Sequence, residues 1–242
     1  MQTAIPLRFS GPSATRLSAL LTRPTAARWL LVLGHGAGAG MRHPFLERMA
    51  AELAARRIAT LRYQFPYRER GHRRPDPAPV LRETVRAAVR AGHEAVPELP
   101  LLAGGKSMGG RMTSLAASEA ALPGVRGLVF LGFPLHPAGR PSTERAEHLH
   151  DVNLPSLFLQ GTRDRLAELA LLEPLAARLG DRVTLRIVEG ADHSFRVLKR
   201  SGHTEDEVFA ELATAVERWT EALSPAAGGS RASGRPGTPG RG

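Results

Sequence analysis

Apolar residues along the chain fall into two alternating patterns, short continuous runs and longer segments with a helical period. Continuous runs bounded by Gly, Pro or polar residues are typical of strands buried on both faces of a sheet. They predict six strands, at Trp29–Leu33, Ala59–Tyr63, Leu99–Ala103, Gly127–Leu131, Ser156–Gln160 and Val183–Val188. The intervening segments predict helices at about Pro44–Arg57, Pro79–Ala95, Met108–Ala120, Ala167–Leu179 and Glu205–Leu223.

Strands that alternate with helices indicate an α/β fold with a mostly parallel sheet and helices on both faces. Two weaker β segments, Ile5–Phe9 and Arg16–Leu21, precede the first clear strand. We expect them to form an antiparallel hairpin at the sheet edge. The sheet should therefore contain about seven or eight strands.

The 242 residues, 42% of them hydrophobic, are sufficient for one domain with a packed core, which we place at residues 1–223. Residues 224–242 are rich in Gly, Pro and Arg and contain no large apolar side chain. This composition predicts a disordered tail.

The cysteine content, the hydropathy and the net charge exclude several classes of protein. There is no cysteine, which excludes disulfides, thiolate metal sites and a cysteine nucleophile. No signal peptide or membrane span is evident, so we expect a cytoplasmic protein without a membrane partner. The net charge of +10 raises the alternative of nucleic-acid binding, but the cations are scattered and nearly all are arginine, so no nucleic-acid partner is expected.

The chemistry is indicated first by Ser107, which lies where an apolar strand passes directly into a helix. Its neighbours two positions away, Gly105 and Gly109, lack side chains, as a strained strand-to-helix turn requires. A helix N-terminus beside the serine favours negative charge there. We therefore interpret Ser107 as a nucleophile; the alternative is a helix cap in a tight turn.

A serine nucleophile needs a base and a carboxylate that orients the base. His193 follows the last predicted strand and Asp164 follows the strand before it, so both fall at the carboxyl edge of the sheet. Asp192 and Asp151 are rival carboxylates. Asp192 adjoins the histidine and Asp151 precedes its strand, so we favour Asp164.

Two backbone N–H groups should stabilise the oxyanion of such a reaction. Met108 follows the nucleophile, and Ala37 lies in the glycine-rich loop after the strand Trp29–Leu33. We expect these two amides to form the oxyanion hole. A phosphate-binding loop is the alternative, but the glycine spacing does not match G-x-G-x-x-G.

The segment 132–155 is too short for a large lid, which predicts an open, shallow pocket. Apolar residues in the loops around the nucleophile are the candidate substrate-binding side chains, and we select Met41, Phe65, Tyr67 and Phe133. Packing of these residues within their own loops is the alternative.

Several motifs together resemble an α/β-hydrolase: His35-Gly36-Ala37-Gly38, the run from Gly105 to Arg111, and Asp192-His193-Ser194. The run from Gly105 to Arg111, together with the segments Phe65–Tyr67, Phe133–Pro137 and Gln160–Asp164, resembles more narrowly the bacterial branch of the family of testis-expressed protein thirty and NSL-complex subunit three. The chain is also similar to the dienelactone-hydrolase group. The resemblance implies hydrolase chemistry at Ser107, Asp164 and His193. Dienelactone hydrolases use a cysteine nucleophile, so their specific activity is not implied.

These observations predict a serine hydrolase that cleaves an ester-type, thioester or amide bond of a small molecule. No metal or cofactor is required for that chemistry. The alternative function is a non-catalytic scaffold or protein-interaction module with the same fold.

Overall fold

The computed structural model describes residues 3–223, so the predicted tail at 224–242 lies outside the described residues. Within them, strands β1 to β8 span Ile5–Ser10, Arg16–Thr22, Trp29–Gly34, Ile58–Tyr63, Leu101–Lys106, Val125–Leu131, Ser156–Gly161 and Val183–Val188. Helices α1 to α6 span Pro44–Ala55, Pro66–Glu69, Ala78–Ala95, Met108–Glu119, Leu169–Leu179 and Glu205–Leu223. No helix within residues 3–223 has the length and apolar character needed to cross a membrane.

The eight strands form one sheet in the order β1-β2-β4-β3-β5-β6-β7-β8. Strand β2 pairs antiparallel with β1 and with β4, and all other neighbours are parallel. The predicted mostly parallel sheet with an antiparallel edge hairpin is confirmed. The strand order reverses between β3 and β5, and the loops that follow these two strands border the crevice where such sheets bind ligands.

Both faces of the sheet are covered, as the continuous apolar runs predicted. Along β3, Leu30 and Val32 belong to the buried cluster that contains apolar side chains of α3, α4 and α5, whereas Leu31 and Leu33 belong to the cluster that contains those of α1 and α6. Successive side chains of a strand point to opposite faces, so a strand between two helical layers must be apolar at every position.

Strand β5 extends beyond the predicted end at Ala103. Gly104 and Gly105 continue the strand instead of beginning the turn. The neighbouring strand leaves no room for a side chain at Gly104, because a Cβ there would lie 1.9 Å from the carbonyl oxygen of Val129. The sharp turn is therefore confined to Ser107.

The connection between β6 and β7 contains only a 3-10 helix, Glu144–Asp151, that packs against α4. No large lid is inserted there, as the length of this segment predicted. The carboxyl edge of the sheet is accordingly open above the ends of β3 and β5.

Candidate active site

Ser107 occupies the single-residue turn between β5 and α4 with φ 51° and ψ −115°. Positive φ is sterically costly for a residue with a Cβ and persists only where the surrounding structure imposes it. Here β5 and α4 impose it, because the chain reverses direction within one residue.

The two flanking glycines are required by close backbone approach. A Cβ at Gly105 would lie 2.6 Å from the carbonyl oxygen of Gly34, and one at Gly109 would lie 2.4 Å from the same atom. Real Cβ atoms do not approach this closely, so any side chain at either position would push α4 away from β3.

The structure brings the three residues selected from the sequence together. Nε2 of His193 lies 2.9 Å from Oγ of Ser107, and its Nδ1 lies 2.7 Å from Oδ2 of Asp164. With the proton on Nδ1, the imidazole donates to the carboxylate and can accept the serine proton at Nε2. This arrangement can generate a nucleophilic oxygen.

Asp164 is oriented by further donors. Its Oδ1 accepts the N–H of Leu166 at 2.8 Å, and its Oδ2 accepts from the side-chain amide of Gln160. The carboxylate is fully buried, so these hydrogen bonds compensate for lost hydration. The rival Asp192 instead accepts the backbone N–H groups of Ser194 and Arg196 and stabilises its own turn.

The loop after β3 is held by a buried histidine. Nδ1 of His35 donates to the carbonyl of Gly36 at 2.8 Å, and Nε2 accepts the N–H of Phe65 at 3.2 Å. Burial lowers the pKa of His35 to about 4, which keeps the ring neutral at neutral pH and able to accept at Nε2. The Tyr67 hydroxyl also accepts the N–H of Gly38 at 3.1 Å, so this loop is fixed at two points.

The amides of Met108 and Ala37 are available as donors. Met108 is the first residue of α4, and Ala37 lines the same cavity as Ser107. Within residues 3–223 neither N–H donates to a protein acceptor. The first N–H groups of a helix have no partner within the helix, so they are suited to bind an anion.

A cavity of about 620 Å³ opens beside Ser107 and His193. Its apolar wall includes Phe45 from the start of α1 and Phe195, with ring centroids 5.8 Å apart, and Lys106 also lines it. The sequence did not single out these three residues as binding residues. Adjacency to Ser107 and His193 was the available signal for Lys106 and Phe195, whereas nothing in the sequence linked Phe45 to the site.

The four side chains predicted to bind substrate do not line this cavity. Phe65 and Tyr67 are fully buried beside His35, and Phe133 packs between Phe130 and Phe158. The Met41 N–H donates to the side chain of Gln64 in the neighbouring loop. Phe65, Tyr67 and Phe133 support the loops from behind, because their rings are more stable in the core than in an open cavity.

No group of three or more histidine, aspartate or glutamate side chains within residues 3–223 is arranged to hold a metal ion. Burial lowers the pKa of Lys106 to about 8, although Asp164 and Asp192 oppose the shift. Lys106 therefore places a partly desolvated ammonium in the same cavity as Ser107.

The family described as alpha/beta hydrolase domain matches residues 27–221 of the chain. A lid-less serine hydrolase from Xanthomonas campestris is 20% identical with a TM-score of 0.71, over 90% of this chain and 96% of its own.

Two further solved structures share the fold. Dienelactone hydrolase from Anabaena variabilis is 21% identical with a TM-score of 0.71, over 91% of this chain and 97% of its own. The esterase domain of a Rhodothermus marinus protein is 18% identical with a TM-score of 0.69, over 93% of this chain and 100% of its own. At these identities the likeness is one of fold.

Proposed function

The chain belongs to the alpha/beta hydrolase domain family, and on that basis we propose that it is a serine hydrolase that cleaves an ester-type bond of a small substrate. The observation that carries the proposal is the hydrogen-bonded series from Ser107 through His193 to Asp164. The esterase domain and the serine hydrolase among the similar structures support the same class of reaction.

The first half of the proposed reaction forms an acyl-enzyme. Nε2 of His193 takes the proton of Ser107 while Oγ bonds to the substrate carbonyl carbon, and the π electron pair moves to the carbonyl oxygen. The amides of Met108 and Ala37 donate to that oxyanion. The oxyanion then collapses, the bond to the leaving group breaks, and the imidazolium returns the proton to the leaving oxygen.

The second half releases the acyl group with water. His193 removes a proton from water as the water oxygen attacks the acyl carbon, and the bond to Oγ of Ser107 breaks with return of that proton. Asp164 remains ionised and stabilises the imidazolium in both halves. Thioesters and amides follow the same steps with a different leaving atom.

Hydrolysis of p-nitrophenyl butyrate tests the proposal. Ser107→Ala should lower kcat by several orders of magnitude, because the covalent step needs Oγ. The matched control is Ser194→Ala, which removes a second, exposed serine hydroxyl from the same cavity and should retain the wild-type rate. Turnover by Ser107→Ala at the wild-type rate would contradict the proposal, whereas a folded wild-type protein without turnover would favour a non-catalytic scaffold.

A further inference from the structure

The ammonium of Lys106 lies in the cavity without a protein partner. Within residues 3–223 its Nζ makes no salt bridge or hydrogen bond, and it lies 5.8 Å and 5.7 Å from the ring centroids of Phe45 and Phe195. Aromatic rings attract a cation weakly and supply no acceptor for its N–H groups. A partly desolvated ammonium in this position is best satisfied by an anionic oxygen.

The charges around the cavity favour an anion as well. Lys106, Arg48 and Arg196 line it, against the single carboxylate of Glu205. Arg48 is engaged by that glutamate at 4.0 Å and by Asp206, whereas the Arg196 guanidinium makes no ion pair within residues 3–223. Asp164 and Asp192 also act on Lys106, but the Asp164 carboxylate binds His193 and that of Asp192 accepts backbone N–H groups of its own turn. Lys106 and Arg196 are therefore the cavity cations without an ion-pair partner within residues 3–223.

Lys106 also lies next to the reacting groups. A Cβ placed on Gly132 would be 3.1 Å from Nζ of Lys106 and 3.5 Å from Cε1 of His193, so the ammonium and the imidazole border the same small space. An anion bound to Lys106 would thus be within a few bonds of a carbonyl carbon held at Ser107.

We propose that the substrate carries a carboxylate a few bonds from the scissile carbonyl and that Lys106 binds this carboxylate. This inference rests on the proposed hydrolase function. The single ammonium matches one negative charge, and the rings of Phe45 and Phe195 provide an apolar wall for the short carbon chain between the carboxylate and the carbonyl.

Two pairs of esters test the inference and distinguish a carboxylate in the acyl chain from one in the leaving group. Mono-p-nitrophenyl glutarate is paired with p-nitrophenyl pentanoate, and 3-carboxyphenyl acetate with phenyl acetate. The measured quantity is the anionic-to-neutral ratio of kcat/KM. Lys106→Met should lower this ratio about tenfold or more in at least one pair, the size expected for a charge-assisted hydrogen bond.

Arg74→Met is the matched control because it removes one positive charge from an exposed side chain outside the cavity, and it should keep the wild-type ratios. Unchanged ratios in Lys106→Met for both pairs, with the neutral esters hydrolysed, would overturn the carboxylate inference and leave the hydrolase function intact. An equal drop in Arg74→Met would also overturn it, since the effect would then reflect net charge.

Labelling of Ser107 by a fluorophosphonate provides a readout that needs no turnover. Glutarate should slow labelling of the wild type about tenfold more than labelling of Lys106→Met. Inorganic phosphate at equal concentration should slow labelling of the wild type less than glutarate does, because phosphate has no carbon chain to contact the rings of Phe45 and Phe195. Equal protection by glutarate of both proteins, or stronger protection by phosphate, would overturn the inference. Absence of both labelling and turnover would overturn the hydrolase function and this inference with it.

Discussion

Acid is expected to destabilise the fold through His35, whose side chain is fully buried and whose Nε2 accepts a backbone N–H. Burial lowers its pKa from 6.5 to about 4. Between these two values the unfolded chain binds a proton that the folded chain does not, so the free energy of unfolding falls as the pH falls. For those two pKa values, lowering the pH from about 7 to about 5 costs about 2 kcal/mol, and the cost rises to roughly 3 kcal/mol in stronger acid.

Urea unfolding at about pH 7 and about pH 5, followed by tryptophan fluorescence, measures this effect. The comparison protein is His35→Gln, in which an amide oxygen can still accept the Phe65 N–H but cannot be protonated in this range. Its loss of stability between the two pH values should be smaller than that of the wild type by about 2 kcal/mol. The pKa of His148 is also lowered to about 4, but this histidine is present in both proteins and cancels in the difference. Equal losses in both proteins would refute the reasoning.

Three further substitutions test other parts of the account. Asp164→Asn should lower kcat for p-nitrophenyl butyrate by roughly 10⁴-fold, because the amide cannot hold the imidazole in its required tautomer, with the fold retained by circular dichroism; a rate within tenfold of wild type would contradict this role. Gly109→Ala should lower the free energy of unfolding in urea by about 1–3 kcal/mol, since its Cβ would overlap the carbonyl of Gly34; an unchanged or higher stability would show that α4 shifts freely. Tyr67→Phe deletes the acceptor of the Gly38 N–H, and should cost about 0.5–1.5 kcal/mol of stability in the same urea experiment and reduce kcat severalfold; an unchanged kcat would show that this bond does not position the loop.

Much of the fold could be predicted because the burial of each strand is visible in its own run of apolar residues. A strand such as β3, with apolar residues at every position, can only be buried on both faces, and this requires helices on both sides. The turn at Ser107 was equally local: the two flanking glycines and the change from strand to helix are adjacent in the sequence. The predicted partners, His193 and Asp164, follow strands whose carboxyl ends must meet at one edge of a parallel sheet.

The cavity wall could not be predicted because it depends on which loops fold back into the core. Phe65 and Tyr67 follow β4 and look accessible from the sequence, but both rings pack against His35, which the sequence places far from them. Conversely, Phe45 and Phe195 meet only because α1 and the loop after β8 are on the same side of the sheet. Contacts of this kind are set by the tertiary structure.

The most direct test of the central claim is intact-mass analysis after treatment with a fluorophosphonate at neutral pH. The account predicts one adduct per chain, mapped to Ser107, absent in Ser107→Ala, and formed far more slowly in His193→Ala because the hydroxyl then lacks its base. Ser194→Ala, which lacks the other serine of the cavity, should label as fast as the wild type. A folded wild-type protein that forms no adduct, or an adduct that persists in Ser107→Ala, would contradict the account.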